Sequence, residues 1–588
     1  MSERTRTGLE ILLAAALMGI LGNVLLRQTP WGLNAFVFVT VFTAAMIMIA
    51  VRRRPELLTV RTLALQGAMV FFGAMFVIRD SIELRVYDTF AILIIMGVLV
   101  LPNFGVNARF AGAFHYVAGF LWSGISSALA PFVLLGSDIE WKSMPGHRLS
   151  QNIFSVLRGL AVALPLVLVF GALFMAADAA YEGMVNRALN FELDTVISHV
   201  MLTSLFAWLT AGYFRGTLVE PFRAAVSVEP TVSPIPKETI ETPGDSAKNR
   251  DSSFVDNFAA EPTETSNSLP DNATILEHIN RSDPPNTAEP AAEAEPKRRD
   301  WQNFDNSKLP SVFTLGTVET VIILGLVDLL FLSFVIVQVP YLFGGMELVQ
   351  NTPDFKLAEY ARRGFGELVA VAALVLPMLL VSHWLLRRET KRLEGLFRIL
   401  AGVQIALLFV IMPSAVQRLF LLTGNLGYGL TTVRFYPMVV MIWFAIVFVW
   451  FGLTVLRGAR QHFAWGALWS ALAVLGAVHV VNPDEFIVRT NIRLMNEGRV
   501  FDSEYNSRLS DDAIPPLLES FDSMSYENQC VVKSTLSNRL IHARSENDLR
   551  TWNWSRSKAL AGLESVSGTL DTVGCPDHLR WTSYNDDF

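Results

Sequence analysis

The sequence predicts an all-α fold: a polytopic transmembrane helical bundle of about 12 spans with a small soluble helical C-terminal domain. Three observations predict it. Apolar runs of close to twenty residues recur through most of the 588-residue chain, the length a helix needs to cross roughly 30 Å of bilayer hydrocarbon. Only 17% of residues are charged while 52% are hydrophobic, against about 25% charged in a typical soluble chain. Many of those charges sit in one polar stretch near the middle and in the tail, so the apolar runs are nearly free of them.

Taken in order, seven hydrophobic segments precede the polar stretch, at 9–26, 33–51, 62–78, 86–101, 115–135, 153–175 and 196–214. Five follow it, at 312–337, 364–386, 399–421, 433–456 and 463–481. The first is expected to be an uncleaved span, because it exits through Leu26-Arg27-Gln28-Thr29-Pro30 without a small-residue cleavage site. Pro165, Pro377 and Pro413 fall inside spans, where neighbouring helices can satisfy the carbonyls that proline frees. The domains are therefore 1–225, an N-terminal bundle of seven spans; 226–311, a polar linker; 312–481, a bundle of five spans; and 482–588, a helical tail.

Short loops rich in Lys and Arg face the cytoplasm. Arg4 and Arg6, the Arg52–Arg54 run with Arg61, the cluster Arg387, Arg388, Lys391, Arg392 and Arg398, and Arg457 with Arg460 all claim that side. They conflict with the segment count. Seven crossings from a cytoplasmic N-terminus would put the Arg387 cluster outside, so either one first-half segment is miscounted or one cluster breaks the rule. The dense clusters carry more weight than the count. The expectation is a cytoplasmic N-terminus, a cytoplasmic polar stretch and an extracytoplasmic tail.

The polar stretch has too few large apolar residues to offset chain entropy with a core, so it is expected to be disordered, a linker between bundles or a tether for partners. In the tail, Asn482 is placed to cap a helix with Pro483 in its first turn, Asp484 and Glu485 favour the positive dipole end, and Gly498 closes it. Further helices are expected from Asp511, Tyr526 and Trp554, with Ile514, Leu517, Leu518, Leu536 and Leu540 turned inward. Cys530 and Cys575 are the only two cysteines and can form one disulfide if the tail faces an oxidising compartment.

Several strings occur together: WGLN at 31–34, RDSIEL at 79–84, LFMAADAAY at 173–181, AEYARRGFGEL at 358–368, GYGLTTVR at 427–434, VNPDEFIVRTNIRL at 481–494, YNSRLSDDAIPPLL at 505–518 and RTWNWSRSKAL at 550–560. In this order, over nearly the whole chain, they resemble the bacterial membrane-protein family known as domain of unknown function 4173, which is related to 4153. The resemblance implies a multi-pass protein of the bacterial inner membrane. It supplies no reaction, cofactor or catalytic residue, and the polar insert is not part of the family pattern.

An ionisable group at mid-membrane costs at least roughly 2.5–3.5 kcal/mol, so each needs a partner or a purpose. The eighth segment holds Glu319 and Asp328. Nine positions apart at roughly 100° per residue, they lie on opposite faces and cannot pair. Asp328, near the segment centre, is the sharper candidate for a proton- or cation-coupled site; its bland alternative is an interhelical hydrogen bond. Tyr360, Arg363 and Glu367 share a helix face and suit an anionic headgroup or an interfacial anchor, with Arg362 left to water or lipid phosphate. Arg79, Asp80, Asp178 and Arg434, all within the family-like strings, could converge with Glu367 in a polar vestibule. Gln404 and Gln417 read as hydrogen-bond glue between helices.

Net charge −7 gives no basic face for nucleic acid, and no phosphate loop, HExxH spacing or GxSxG elbow is present. No cofactor or metal is implied. The expected partners are membrane lipids, with protein partners through the linker or the tail. Three function classes follow: transport of an ion or small solute; an envelope scaffold or signalling component acting through linker and tail; and, last for want of a nucleophile, an enzyme acting on lipid-linked substrates.

Overall fold

The computed structural model describes residues 2–141, 193–220, 314–343, 365–387, 391–420, 423, 429–545 and 548–576. By internal contacts the chain divides into two compact units, Met1–Pro221 with Trp301–Phe588, and Phe222–Asp300. All described residues belong to the first. They are helical, and the one β-bridge among them is the isolated pair Leu315 and Leu386.

The first-half helices are α1 (Glu3–Leu26), α2 (Leu33–Arg53), α3 (Val60–Ile78), α4 (Ile82–Leu99), α5 (Ala113–Val133) and α6 (Leu193–Leu218). The second half supplies α7 (Thr317–Phe343), α8 (Phe365–Leu385), α9 (Lys391–Phe420), α10 (Thr432–Thr454) and α11 (Phe463–Val481). These eleven are long and apolar enough to cross a membrane. The chain is thus a multi-pass membrane protein. Outward-facing Leu13, Leu17 and Ile20 on α1, and Leu326, Leu329 and Leu330 on α7, fit only a lipid surround, since water would not tolerate so much contiguous apolar surface. The sixth expected segment, 153–175, lies outside the described residues.

Without a hydrophobic drive between helices in lipid, close backbone approach has to supply the packing. Gly19 shows it: a Cβ there would stand 2.6 Å from the Thr203 carbonyl of α6. One apolar core joins α1–α6 and a second joins α7–α10. α11 serves both, placing Leu468 and Leu472 in the first and Phe463 in the second.

The helix ends sort into two groups. At the first, Asp138 is fully buried and accepts from Arg4 at 2.6 Å and Arg215 at 2.7 Å, tying the start of α1 to the end of α6. Arg53 pairs with Glu10, Arg61 donates to Asn107, and the Phe110 ring meets His462 just before α11. Thr314 accepts from Arg387, joining the start of α7 to the end of α8, and Gly458 after α10 lies near Arg398 of α9. At the opposite end stand Leu26, Ile78, Leu430, Val481 and the described C-terminal helices.

α5 departs from this alternation. It begins beside Phe110 and ends, through a short π-helical turn at Leu134–Asp138, on Arg4 and Arg215. Its Ile139 packs on Gly8 and the Glu140 amide donates to Thr5. Both termini of this apolar helix therefore stand at the first end.

Beyond α11 come α12 (Pro483–Asn496), α13 (Ser503–Arg508), α14 (Ile514–Glu519), α15 (Tyr526–Ser545) and α16 (Trp554–Thr572). Val488, Ile514, Leu517, Leu536 and Leu563 form their core. Of the residues expected inward, Leu518 is only partly buried. Asp511 opens a 3-10 turn rather than an α-helix. Asn482 does not cap α12 with its side chain. It sits at φ 56°, a left-handed position asparagine tolerates, and turns its amide to Glu485 at 2.8 Å. Cys530 and Cys575 are joined by a disulfide, with Cα atoms 5.6 Å apart.

Candidate functional site: a capped membrane end and an unpartnered aspartate

A helix leaves its last four carbonyls without intrahelical partners, and burying such an end requires other donors. The C-terminal region supplies them. Asn553 donates to the carbonyls of Phe76 and Arg79 at 2.8 and 2.9 Å, and Ser555 to that of Ile78 at 2.9 Å, closing the end of α3. Arg79 donates to the carbonyl of His479 at 2.9 and 2.7 Å, closing the end of α11. The Asn491 amide pairs with both backbone groups of Leu430, before α10. The Leu33 amide, opening α2, donates to Trp552 at 2.9 Å, and a Cβ at Gly32 would collide with that same carbonyl at 2.5 Å.

Charges converge on these caps. Asp512 is 4% exposed and accepts from Arg79 at 3.2 Å, from the Asp80 amide at 2.8 Å and from Ser555. Asp80 pairs with Arg85 and, at 3.0 Å, with Arg556 of α16. Asp511 pairs with Arg539 of α15 at 3.0 Å. Burial, with Asp80 nearby, pushes the Asp511 carboxyl up to about 6 against the pull of Arg539 and Arg556. Asp484 is likewise raised to about 6, chiefly by burial, with the Ser510 hydrogen bond opposing and Glu83 and Asp512 adding to it. A cavity of about 380 Å³ lined by Asp511, Arg539, His542, Trp552 and Arg556 opens beside the network.

One step inside the membrane, Asp88 of α4 and His479 of α11 form a buried pair, 2.8 Å from Oδ1 to Nε2. The carbonyl of the same His479 holds Arg79. Arg79, which also donates to Asp512, thus joins the first and second halves and the C-terminal region.

The family model described as "Domain of unknown function (DUF4153)" matches residues 66–239 and 282–520. This chain belongs to the DUF4153 family. No curated protein and no solved structure matches it. The match falls on family 4153 and not on family 4173, to which the sequence strings pointed first. It contains both Arg79 and Asp512 but stops before Asn553, Ser555 and Arg556, so the DUF4153 region takes in only part of the capping network.

In this DUF4153 protein the structure describes some of the sequence-predicted residues and not others. Arg79 and Asp80 join the C-terminal network. Arg434 donates to the Gly429 carbonyl at the foot of α10. Tyr360, Arg363 and Asp178 lie outside the described residues, as does the side chain of Glu367. Glu319 is exposed in the first turn of α7, at the first end.

Asp328 differs from all of these. It is 7% exposed, and neither carboxylate oxygen has a hydrogen-bond partner among the described residues. Gln404 of α9 is fully buried, and both atoms of its amide also lack partners there. α7 and α9 pack together and both leave the first end, so eleven residues into α7 and thirteen into α9 at about 1.5 Å each bring the two to similar depth. The interhelical-glue expectation for Asp328 and Gln404 finds no bond to support it.

Sequence reasoning missed Asp88, Asp484, Asp512, Arg539 and Arg556. Asp511 read as the start of a helix, and Asp484 only as a complement to a helix dipole. No local pattern signals partners more than four hundred residues away.

Proposed function

We propose that this protein is a transporter of the bacterial inner (cytoplasmic) membrane that takes up a proton or small cation at Asp328. The observation that carries this reading is a buried carboxylate, in the interior of a membrane helix pair, with no partner among the described residues. An unpaired charge there costs at least roughly 2.5–3.5 kcal/mol, and an unsatisfied buried amide about 1–3 kcal/mol more. Such a cost is retained where the group has to stay available to a ligand. Gln404 adds a carbonyl oxygen at similar depth.

The reading places the C-terminal helices, as a small soluble domain, on the extracytoplasmic side. Its support is the sorting of helix ends: Arg4, Arg53, Arg61, Arg387, Arg398 and Arg460 all belong to the first end, which the positive-inside rule assigns to the cytoplasm. With α5 returning to the end it left, one first-half segment drops out of the crossings and the conflict between charge clusters and segment count disappears. The disulfide suits an oxidising compartment.

The test is ion flux in proteoliposomes holding purified protein, under imposed proton and sodium gradients. Wild type is expected to dissipate one of them, and Asp328→Asn to lower that flux at least ~10-fold. Equal flux in Asp328→Asn removes Asp328 from the site, and no wild-type flux of either ion overturns the transporter reading. A second reading, an envelope scaffold or signalling component, is favoured by the cavity between Asp511, Arg539 and Arg556 above the Arg79 contact. It predicts that crosslinking from this cavity in cells captures a partner.

A further inference from the structure

A groove of about 220 Å³ runs along the membrane face where α4 of the first half meets α10 and α11 of the second. Its walls include Ile94, Trp443 and Leu475. Phe90 and Ile94 are 54% and 41% exposed, so the groove opens sideways toward lipid. It is too small for a folded partner element and suits one hydrocarbon chain.

Its upper limit changes character. The Tyr87 and Tyr436 rings, 5.2 Å apart, line it near the end that carries the C-terminal helices. The Tyr436 hydroxyl stands 3.4 Å from the Ser81 hydroxyl, which donates to Glu83 at 3.0 Å. Asp484 lies close enough to Glu83 for the two charges to interact. It is 1% exposed; one carboxylate oxygen accepts from Ser510 and the other has no partner among the described residues. Neither Glu83 nor Asp484 forms an ion pair there, whereas Asp80, Asp511 and Asp512 each hold an arginine. Two uncompensated carboxyls above an apolar slot call for a cation at headgroup depth.

We propose that this groove holds an acyl chain of a bilayer lipid whose headgroup bears a primary ammonium, received by Glu83, Asp484 and the Tyr436 hydroxyl. The site is separate from Asp328, which belongs to α7. A lipid seated here bridges the two halves of the molecule and touches α12 through Asp484, so it sets their packing directly beneath the caps.

Full-length protein is purified in detergent with equal amounts of phosphatidylethanolamine and phosphatidylglycerol of identical acyl chains, and bound lipid is counted by native mass spectrometry. Phosphatidylethanolamine is expected to be retained at least ~10-fold over phosphatidylglycerol, an ordinary factor for one well-placed charge contact. Glu83→Gln with Asp484→Asn is expected to abolish that preference, and Ala471→Phe, which fills the slot, to abolish retention of both. Wild type needs no substitution to speak: equal retention of the two lipids, or none of either, overturns the proposal. So does an unchanged preference in the doubly neutralised protein, and so does unchanged retention in the filled one. Preference for a single-chain alkylammonium over the diacyl lipid would move the assignment from a bilayer lipid to another amphiphile and overturn it in the form stated.

Discussion

Arg79 and Asp512, 433 positions apart in the chain, meet at 3.2 Å where the end of α3 faces the C-terminal helices. Arg79 simultaneously closes the last turn of α11 through His479, and Asp512 simultaneously receives the Asp80 amide. Two side chains thereby join three segments of backbone. Arg79→Ala leaves a buried carboxylate without its cation and should destabilise the protein by about 3 kcal/mol. Asp512→Ala, which leaves a partly exposed arginine, should cost about 2 kcal/mol. Thermal unfolding in detergent measures both, and the double variant should lose less than their sum because the pair acts as one unit. Strict additivity would mean that the contact contributes nothing.

Docking of the C-terminal helices should tighten as pH falls. Asp484 and Asp511 both titrate near 6 in the folded protein, against about 3.9 in an unfolded chain. Each contributes stability that is fully present below pH ~4 and lost as pH rises through about 6, because the folded state binds the proton more tightly. Limited proteolysis of the C-terminal helices between pH 4.5 and 7.5 should show faster cleavage at the upper end. Asp484→Asn and Asp511→Asn should each flatten that dependence, and a profile identical to wild type would disprove the role of the group replaced.

Reduction should loosen one edge of the C-terminal core. The disulfide closes a 45-residue interval and pins the chain after α16 to the second turn of α15, where Lys533 also donates to the Val573 carbonyl at 2.7 Å. Breaking it should cost about 2–4 kcal/mol. Denatured, unreduced protein should take up no thiol reagent and should take up two equivalents after reduction. Two equivalents before reduction would remove the bridge.

Residues flanking α5 should label from the same side of the membrane. Arg109→Cys and Glu140→Cys, in the protein with Cys530 and Cys575 replaced by serine, should react with an impermeant maleimide only from the cytoplasmic side in oriented vesicles. Labelling from opposite sides would make α5 a crossing and restore the conflict between the charge clusters.

Asp328→Leu should raise stability while ending ion dependence. Replacing an unpartnered buried acid with an apolar side chain of similar volume is neutral or stabilising by about 1–3 kcal/mol. Wild type should gain thermal stability with the transported ion and the leucine variant should not, since only a state with a site is shifted by its ligand. A leucine variant less stable than wild type would mean that Asp328 holds the bundle together.

By itself the sequence determined that the chain is a helical multi-pass protein and where Asp328 lies along its helix, because each follows from a local quantity: the length of an apolar run, or the place of one charge within it. The helices starting at Tyr526 and Trp554 were legible for the same reason. It also exposed the clash between the arginine clusters and an odd number of spans. That both termini of α5 stand at one end was not legible, since α5 is as apolar as its neighbours, and only Asp138 reaching Arg4 and Arg215 shows it. Tertiary structure likewise decided that Arg79 and Asp80 serve the C-terminal helices, and that Asp512 is buried against Arg79 and the Asp80 amide. Caps of this kind belong to whichever helix end the fold delivers to them, and the chemistry of Asn553 or Asp512 is the same wherever that end comes from.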